Sequence, residues 1–303
     1  MHISALVTGG SGFVGSWVLL ELIKRKARVV VLDRFPAKDR WQRLLCDQAA
    51  EVGFTDASLT DRDAVQTVIE SHGITHVIHL AALLTPDCQK DPFIGCQVNV
   101  LGSAAVFDAA RRSGLVETIS YASSYAVYGA EENQAENRPP TFYGAYKEAA
   151  DMIAEQYWKH HGLRSFAIRP HVVYGPERNQ GLTAGPSLAC RAAALGERYT
   201  IEYSGAAGYD YVEDVATAFV RGALECPEGA TVYDLPSEQA TPKDFIRLIE
   251  QHHSEATGRI SSAGPPIPVN RSPKPRRIQQ LFPDWQATSL SRGVQKTLQY
   301  YLP

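Results

Sequence analysis

The sequence predicts an α/β fold, a doubly wound parallel sheet followed by a small C-terminal lobe. Two observations support this prediction. In the first half of the chain, short apolar runs of β type alternate with helical patterns, as in parallel sheets whose strands are connected through helices. A glycine-rich turn also joins the first apolar run to the first helical pattern, and such a turn leaves free backbone N–H groups at a helix N-terminus.

The glycine-rich turn contains Gly9, Gly12 and Gly15, between a predicted strand over residues 3–7 and a predicted helix over residues 13–26. Gly9 allows the tight turn, Gly12 close approach of a phosphate, and Gly15 close packing of the helix on the strand. The spacing is one residue longer than that of the common dinucleotide fingerprint. By itself, the turn therefore leaves open an ordinary strand–helix connection.

A second β-branched run, residues 28–32, ends at Asp33 and Arg34. An acidic residue at the tip of the second strand is where the 2′-hydroxyl of an adenosine ribose is held. Asp33 therefore favours NAD, whereas Arg34 would tolerate the 2′-phosphate of NADP.

Further strands are predicted over residues 51–55, 75–82, 117–122, 164–169 and 232–235, and a long helix over residues 92–112. We assign no role to His76 or His79, because a histidine on a buried strand is more often bound to the backbone than catalytic. Asn99 lies within the apolar helix pattern. It is interpreted either as a structural bridge or as a proton-relay element.

Composition excludes several classes of protein. The chain has 303 residues, 44% hydrophobic and 21% charged, with a formal charge of −3. This gives no basic field for nucleic acid or membrane surfaces. A strand so near Met1 leaves no room for a signal peptide, and the longest mostly apolar run, residues 76–84, is too short for a span, so we expect a cytoplasmic protein. The five cysteines contain no Cys-x-x-Cys pair, which predicts free, mostly buried thiols and no metal site.

Three side chains carry the predicted chemistry. Ser124 follows the strand at residues 117–122, and Tyr143 and Lys147 stand four residues apart in a helical pattern, so they share one helix face. A neighbouring ammonium and a cationic nicotinamide favour the phenolate form of tyrosine. Tyr143 can then take the proton of a substrate alcohol as hydride leaves the same carbon. Ser124 would hydrogen-bond that oxygen, and Lys147 would hold the cofactor ribose.

In this order the motifs resemble the extended short-chain dehydrogenase/reductases, specifically the NAD-dependent epimerase/dehydratase group. The matching segments are Thr8 to Gly15, Asp33, His79 to Ala82, Asn99 to Gly102, Ser123-Ser124, Tyr143 with Lys147, Arg169-Pro170, Val173 to Pro176, and Tyr211 to Ala216. The resemblance implies a Rossmann-type NAD-binding domain over residues 1–175, to which segments near 208–240 return. Residues 176–303 would mainly form a substrate-binding lobe, with a small-molecule substrate in the cleft, and a homodimer is implied.

The resemblance also assigns site residues. The catalytic residues are Ser124, Tyr143 and Lys147. The cofactor-binding residues are Gly9, Gly12, Phe13, Val14, Gly15, Asp33, Arg34, Ser58, Leu59, Leu80, Ala81, Ala82, Asn99, Tyr143 and Lys147. Substrate contacts are predicted for Leu84, Thr85, Ser124, Tyr125, His171, Arg178 and Asn179.

Departures from the family pattern bear on the substrate. Nucleotide-sugar enzymes commonly carry an Arg-Asp pair, whose Arg binds the substrate diphosphate, where this chain has Ala207-Gly208-Tyr209-Asp210. Dehydratases follow the catalytic hydroxyl with an acidic pair, but Tyr125-Ala126 follows Ser124. The sequence therefore favours an NAD-dependent oxidoreductase acting on a secondary alcohol of a small carbohydrate-like substrate. The alternatives are an NAD-retaining sugar or nucleotide-sugar epimerase and, less favoured, a non-catalytic NAD sensor.

Overall fold

A computed structural model describes residues 3–129, 138–267 and 274–302. Within these ranges the chain divides into two compact units. The first unit contains residues 3–129, 138–169 and 216–233, and the second contains residues 170–215, 234–267 and 274–302. Each unit has its own sheet and its own apolar cluster. Strands and helices are numbered in chain order across both units.

The first unit is built on a seven-stranded sheet with the order β10-β6-β5-β4-β1-β2-β3. Its strands are β1 (Ser4–Thr8), β2 (Arg28–Asp33), β3 (Gly53–Asp56), β4 (His76–His79), β5 (Thr118–Ala122), β6 (Arg164–Arg169) and β10 (Ala230–Asp234). All pairs from β6 to β3 are parallel, which confirms the predicted fold class. The strand order reverses between β1 and β4, and ligands of such sheets bind at the carboxyl ends of the strands at this point.

Helices connect these strands. They are α1 (Phe13–Lys24), α2 (Lys38–Leu45), α3 (Arg62–Ser71), α4 (Thr85–Lys90), α5 (Pro92–Cys96), α6 (Gly102–Ser113), α7 (Phe142–His161) and the part of α9 (Val212–Leu224) from Ala216 onward. The apolar faces of α3 and α6 pack with β1, β2 and β4 in one cluster that includes Leu6, Val68 and Phe107. The strands read as apolar runs because their side chains are almost all buried.

Strand β4 is shorter than the sequence predicts. The apolar run suggested residues 75–82, but the strand ends at His79. After Leu80 the backbone passes the glycine-rich turn: a Cβ built on Gly9 would lie 2.6 Å from the Ala81 nitrogen. The Leu80 amide still donates to the Thr8 carbonyl oxygen at 3.0 Å, whereas Ala81 lies against this turn instead of pairing in the sheet.

The predicted helix over residues 92–112 is interrupted. A π-helical turn, Gln97–Leu101, separates α5 from α6, and Asn99 lies within it. Residues 92–113 together are long and apolar enough to cross a bilayer by length and composition, which corrects the expectation that residues 76–84 are the longest apolar run. Half of the most apolar window is buried inside the fold, as in the core helix of a globular unit.

The second unit contains a three-stranded sheet, a two-stranded sheet and three helices. Its elements are β7 (Val172–Tyr174), β9 (Ala207–Tyr211) and β11 (Glu238–Ala240), then β8 (Tyr199–Ile201) with β12 (Ile260–Ser262), and α8 (Gly185–Ala194), α10 (Pro242–His252) and α11 (Leu290–Tyr301). Thr241 caps α10 in a capping box with Asp244, and Pro242 lies in the first turn, where a helix tolerates proline. Tyr174, Tyr209 and Phe245 stack edge to face in its core.

All five cysteines are free thiols. Cys88, Cys190 and Cys226 are buried, and Cys46 and Cys96 are exposed. Among the described residues, no group of three His, Cys, Asp or Glu side chains is placed to hold a metal ion.

Candidate active site

The glycine-rich turn has the geometry that a dinucleotide needs. Gly9 adopts a φ of +73°, a backbone angle that residues other than glycine rarely adopt. A Cβ on Gly15 would lie 2.2 Å from the Gly9 carbonyl oxygen, so only glycine lets α1 start this close to β1. No side chain caps α1, which leaves the amides of Phe13 and Val14 directed at an incoming anion. This cradle fits the pyrophosphate of NAD.

Two side chains of α2 support the turn from behind, and the sequence analysis missed both. The Trp41 indole Nε1 donates to the Gly10 carbonyl oxygen at 3.1 Å, and Arg40 Nη1 donates to the Ser11 carbonyl oxygen at 2.6 Å. Because these side chains bind the carbonyl oxygens of the turn, its backbone N–H groups stay free to bind a phosphate. The available signal was a tryptophan directly after the charged residues that begin α2.

Asp33 lies at the end of β2 beside the turn. Its Oδ2 accepts from the Ser11 amide at 3.1 Å, and its Oδ1 accepts from the Arg34 amide at 2.8 Å. The Arg34 guanidinium is exposed and stands 5.7 Å from the centre of the Phe35 ring. The carboxylate therefore occupies the predicted ribose position, with Arg34 beside it.

Replacement of Asp33 by asparagine is expected to reduce the preference for NAD over NADP at least about tenfold. The amide still accepts from Ser11, but it no longer repels a 2′-phosphate and binds ribose hydroxyls less strongly. Calorimetric titration of both cofactors measures the ratio, with Asp39→Asn on the exposed side of α2 as the control. An unchanged ratio would show that Arg34 sets the preference.

Asn99 is a structural bridge in this structure. Its Oδ1 accepts from the Leu83 amide at 2.8 Å, and its Nδ2 donates to the Leu83 carbonyl oxygen at 2.9 Å. Both ends of the amide thus hold the segment after β4, which leaves it poorly suited to the proton-relay alternative. The predicted role of Asn99 in cofactor binding is then indirect, because Asn99 holds the segment of residues 80–83 in place.

His79 fixes the same segment from the sheet. The Ser103 hydroxyl donates to the Asn99 carbonyl oxygen at 2.6 Å and therefore accepts from His79 Nε2 at 3.0 Å. His79 Nδ1 is then the acceptor for the Thr8 hydroxyl at 2.7 Å. Burial lowers the pKa of His79 to about 3, so the imidazole is neutral and structural.

The remaining predicted cofactor residues lie at the ends of β3 and β4. Leu59 is buried, and a Cβ on Gly102 would lie 3.1 Å from the Leu59 Cβ. The Ser58 hydroxyl is exposed and pairs with Thr60 at 2.8 Å. The contacts of Ser58 and Leu59 with the cofactor stay predictions.

Ser124, Tyr143 and Lys147 come together in the first unit. Ser124 Oγ accepts from the Ala126 amide at 3.1 Å, which leaves its hydroxyl proton for the hydrogen bond that it makes with the Tyr143 phenol. Lys147 Nζ is 5.7 Å from the centre of the Tyr143 ring and donates to the Ala122 carbonyl oxygen at 2.7 Å. The geometry predicted from the Tyr-x-x-x-Lys spacing is present.

Gly144 allows this approach. A Cβ at this position would lie 2.1 Å from the Ala126 carbonyl oxygen, so α7 can lie against the turn that carries Ser124 only with glycine there. Thr141 caps the helix by accepting from the Gly144 amide at 3.1 Å. Together these residues place Tyr143 in the first turn of α7.

Without the charge of a bound cofactor, the electrostatics of the site keep Tyr143 protonated. Burial raises the pKa of Tyr143 to about 12, against the hydrogen bond from Ser124, which lowers it. Burial also lowers the pKa of Lys147 to about 8, against the nearby Asp151 carboxylate. In the chain alone, desolvation is therefore the larger effect at both groups. A positive charge brought by the bound cofactor is needed to make Tyr143 a base near neutral pH.

A buried polar network lies beneath these residues, one helical turn beyond Lys147. Asp151 accepts from Arg169 Nη2 at 2.7 Å, from the Ser123 hydroxyl at 2.9 Å and from the Tyr121 hydroxyl at 3.1 Å. Arg169 also donates to the Tyr128 hydroxyl. The network joins α7 to the carboxyl ends of β5 and β6, and so positions both Ser124 and Lys147.

Replacement of Asp151 by asparagine is expected to lower the free energy of unfolding by about 3 kcal/mol, because it leaves the Arg169 guanidinium partly buried without a counter-charge. Glu155→Gln, one turn further along α7, removes an exposed ion pair with Lys159 and should change stability by less than about 0.5 kcal/mol. Urea unfolding measures both. Equal effects of the two changes would contradict a supporting role of Asp151.

The predicted substrate residues are distributed over both units. Leu84, Thr85, Ser124 and Tyr125 belong to the first, where the Tyr125 ring packs edge-on against Tyr128 at 5.1 Å. His171, Arg178 and Asn179 belong to the second. His171 Nδ1 pairs with the Ser237 hydroxyl at 2.7 Å, and Asn179 is exposed. The contact of these residues with substrate stays a prediction.

The model of the NAD-dependent epimerase/dehydratase family matches residues 5–234. The chain therefore belongs to this family, and its cofactor is NAD. The triad, the glycine turn and Asp33 all lie within the matched range.

Individual relatives carry epimerase names. UDP-glucuronate 4-epimerase 2 of Arabidopsis thaliana is 29% identical over 99% of this chain and 76% of that protein. UDP-glucose 4-epimerase of Mycolicibacterium smegmatis is 29% identical over 71% of this chain and 72% of that protein. Other matches are partial: the chain covers 43% of UDP-glucuronate 4-epimerase 1 of Arabidopsis thaliana, at 32% identity over 57% of this chain.

Solved structures share the fold over the whole chain. UDP-glucose 4-epimerase of Thermus thermophilus, in complex with NAD, superposes with a TM-score of 0.78 at 25% identity, covering 99% of both chains. A consensus L-threonine 3-dehydrogenase superposes with a TM-score of 0.81 at 24% identity, covering 98% of both chains. The same fold thus serves epimerases and dehydrogenases.

Proposed function

We propose that this protein is an NAD-dependent 4-epimerase of a nucleotide sugar. The observation that carries the proposal is the Ser124–Tyr143–Lys147 cluster in a chain whose named relatives include UDP-glucuronate and UDP-glucose 4-epimerases. The cluster supplies a base, its hydrogen-bond partner and a cation at one point of the first unit.

The chain's own residues handle the proton. NAD supplies a hydride acceptor that can return the hydride to the same carbon. Tyr143 removes the hydroxyl proton as the C–H bond breaks, and the substrate carbon becomes a ketone. Ser124 donates to the carbonyl oxygen, and Lys147 stabilises the phenolate by its charge. Tyr143 would return the proton to the oxygen as the hydride is returned to the opposite face of the ketone carbon, which inverts that carbon.

This proposal departs from the preference derived from the sequence, which favoured a dehydrogenase that releases NADH. That preference rested on Ala207-Gly208 in place of the Arg of nucleotide-sugar enzymes. The names of the relatives favour the epimerase instead. The dehydrogenase stays the second candidate, supported by the missing Arg and by the shared fold of the threonine dehydrogenase.

The test incubates the purified protein and NAD separately with UDP-glucose and UDP-glucuronate. Proton NMR follows inversion at the sugar carbon, and absorbance at the NADH band follows release of reduced cofactor. We expect inversion without net NADH. Stoichiometric NADH in solution would instead establish the dehydrogenase, and neither signal with either sugar would overturn the nucleotide-sugar substrate.

We also propose that the protein is a homodimer. Large apolar side chains are exposed on the surface of the first unit along α5, the π-helical turn and α7, namely Phe93, Ile94, Leu101, Phe142 and Met152. A patch of this kind is typical of an interface. Sedimentation velocity is expected to give the mass of two chains, and a monomer at micromolar concentration would contradict the proposal.

A further inference from the structure

Arg178 is a partly buried cation in the second unit, in the loop between β7 and α8. Its Nη1 donates to the Val173 carbonyl oxygen, and its Nη2 donates to the Thr183 hydroxyl at 2.7 Å. Both acceptors are neutral. Because a guanidinium carries five N–H donors, three of them are left for another partner.

No carboxylate pairs with Arg178 among the described residues. The adjacent Glu177 is directed elsewhere, since its Oε1 accepts from the Tyr300 hydroxyl at 3.1 Å. The Asp210 carboxylate accepts from the His171 amide at 2.8 Å and from the Ser237 hydroxyl at 2.7 Å. Burial lowers the pKa of Arg178 to about 10, so it stays charged near neutral pH. A desolvated charge without a counter-ion is unfavourable, which makes this position receptive to an anion.

The surroundings of Arg178 also suit an anion. Thr183 lies two residues before Gly185, where α8 begins without a side-chain cap, and the N-terminal end of a helix carries a partial positive charge. The hydroxyls of Tyr203 and Tyr209 are 3.0 Å apart and lie close enough to the guanidinium to interact with it electrostatically. Burial raises the pKa of both phenols, so they are neutral near neutral pH and supply no counter-charge. Tyr209 belongs to β9, the strand on which Ala207 stands in place of the family's Arg.

We propose that Arg178 binds an oxyanion of the substrate, the diphosphate of a nucleotide sugar, and so supplies from the β7–α8 loop the cation that β9 lacks. This inference rests on the proposed function and specifies its substrate class. The planar guanidinium pairs with two oxygens of a phosphate at once. The carboxylate of a sugar acid offers the same chemistry, and the ligands below distinguish the two sources.

The experiment measures equilibrium binding by calorimetry to the full chain saturated with NAD. UDP and uridine differ only by the diphosphate. Arg178→Gln is expected to weaken UDP binding at least about tenfold, the usual scale for a charge-assisted contact, and to change uridine binding less than about twofold. Arg191→Gln, an exposed arginine of α8, is the control and should leave both affinities unchanged. Arg178→Lys keeps the charge but not the paired N–H donors of the guanidinium, so UDP affinity is expected to fall by a few fold.

UDP-glucose and UDP-glucuronate then identify the oxyanion. Equal weakening of both by Arg178→Gln supports the diphosphate, whereas weakening of UDP-glucuronate alone supports an oxyanion site for the sugar carboxylate. Unchanged affinity for all ligands, or equal losses for UDP and uridine, overturns the proposal and leaves Arg178 a structural residue. If Arg178→Gln does not fold, unchanged UDP binding by Arg178→Lys overturns it. If the wild-type protein binds none of the UDP ligands, the proposed nucleotide-sugar function is overturned as well. If Arg178→Gln inverts the sugar normally with an unchanged KM, only the proposed role of Arg178 is overturned.

Discussion

Replacement of Tyr143 by phenylalanine is expected to reduce turnover at least about a hundredfold while NAD affinity changes less than about twofold. The change removes one oxygen, the atom that accepts the substrate proton, and general acid–base help of this kind contributes about that much or more. The ring and its place in the first turn of α7 are kept. Cofactor binding should therefore survive, as calorimetric titration with NAD can verify.

A matched control is available on the same helix. The Tyr146 hydroxyl donates to the Pro92 carbonyl oxygen at 2.7 Å, so Tyr146→Phe also loses one hydroxyl and one hydrogen bond. It should lower stability by about 1 kcal/mol and leave kcat within about twofold. Similar rates for Tyr143→Phe and Tyr146→Phe would remove Tyr143 from the mechanism.

The pH dependence of the wild-type protein offers a second measurement on the same group. The pKa of Tyr143 is raised to about 12 in the chain alone, and the cationic ring of bound NAD favours the phenolate. The ascending limb of kcat against pH is therefore expected to lie well below pH 12 and to disappear in Tyr143→Phe. An ascending limb that persists in this variant would assign the titration to another group.

The parts of the site that the sequence predicts are those encoded within short stretches. The glycine spacing, Asp33 after the second strand, and Tyr143 with Lys147 one helical turn apart each depend on residues near one another in the chain. Their relative positions follow from the fold class, because the carboxyl ends of parallel strands meet at one edge. The roles of these residues stay predictions, whereas their placement is now described.

The parts that it does not predict depend on contacts between distant segments. Asp151 in α7 and Arg169 at the end of β6 are 18 residues apart, and nothing local in either stretch indicates the pair. Trp41 and Arg40 support a turn about 30 residues earlier. Asn99 interrupts an apolar helix because its amide binds Leu83, so the sequence left its interpretation open. The raised pKa of Tyr143 results from desolvation, which only the packed structure reveals.

Replacement of Lys147 by methionine is expected to abolish at least 99% of turnover, on the hundredfold scale of a lost electrostatic contribution, and at the same time to relieve a cost in stability. Lys147 is 7% exposed, and its pKa falls from 10.5 to about 8 on folding. Between these values the unfolded chain binds more protons than the folded one, so the wild-type free energy of unfolding rises with pH across this window. The cost of the buried ammonium is complete below pH 8 and is gone above pH 10.5.

Urea unfolding of the NAD-free wild-type protein and the variant, at pH 7 and again at pH 10.5, tests this directly. Methionine does not titrate, so other groups cancel in the comparison of the two proteins. Between the two pH values, the free energy of unfolding of the wild-type protein is expected to rise by up to about 3 kcal/mol relative to that of the variant. Lys159→Met, an exposed lysine of α7 paired with Glu155, should follow the wild type in both turnover and pH dependence. Parallel pH profiles for wild type and Lys147→Met would mean that folding does not lower the pKa of Lys147, and the ammonium would then carry its full charge beside Tyr143 throughout this window.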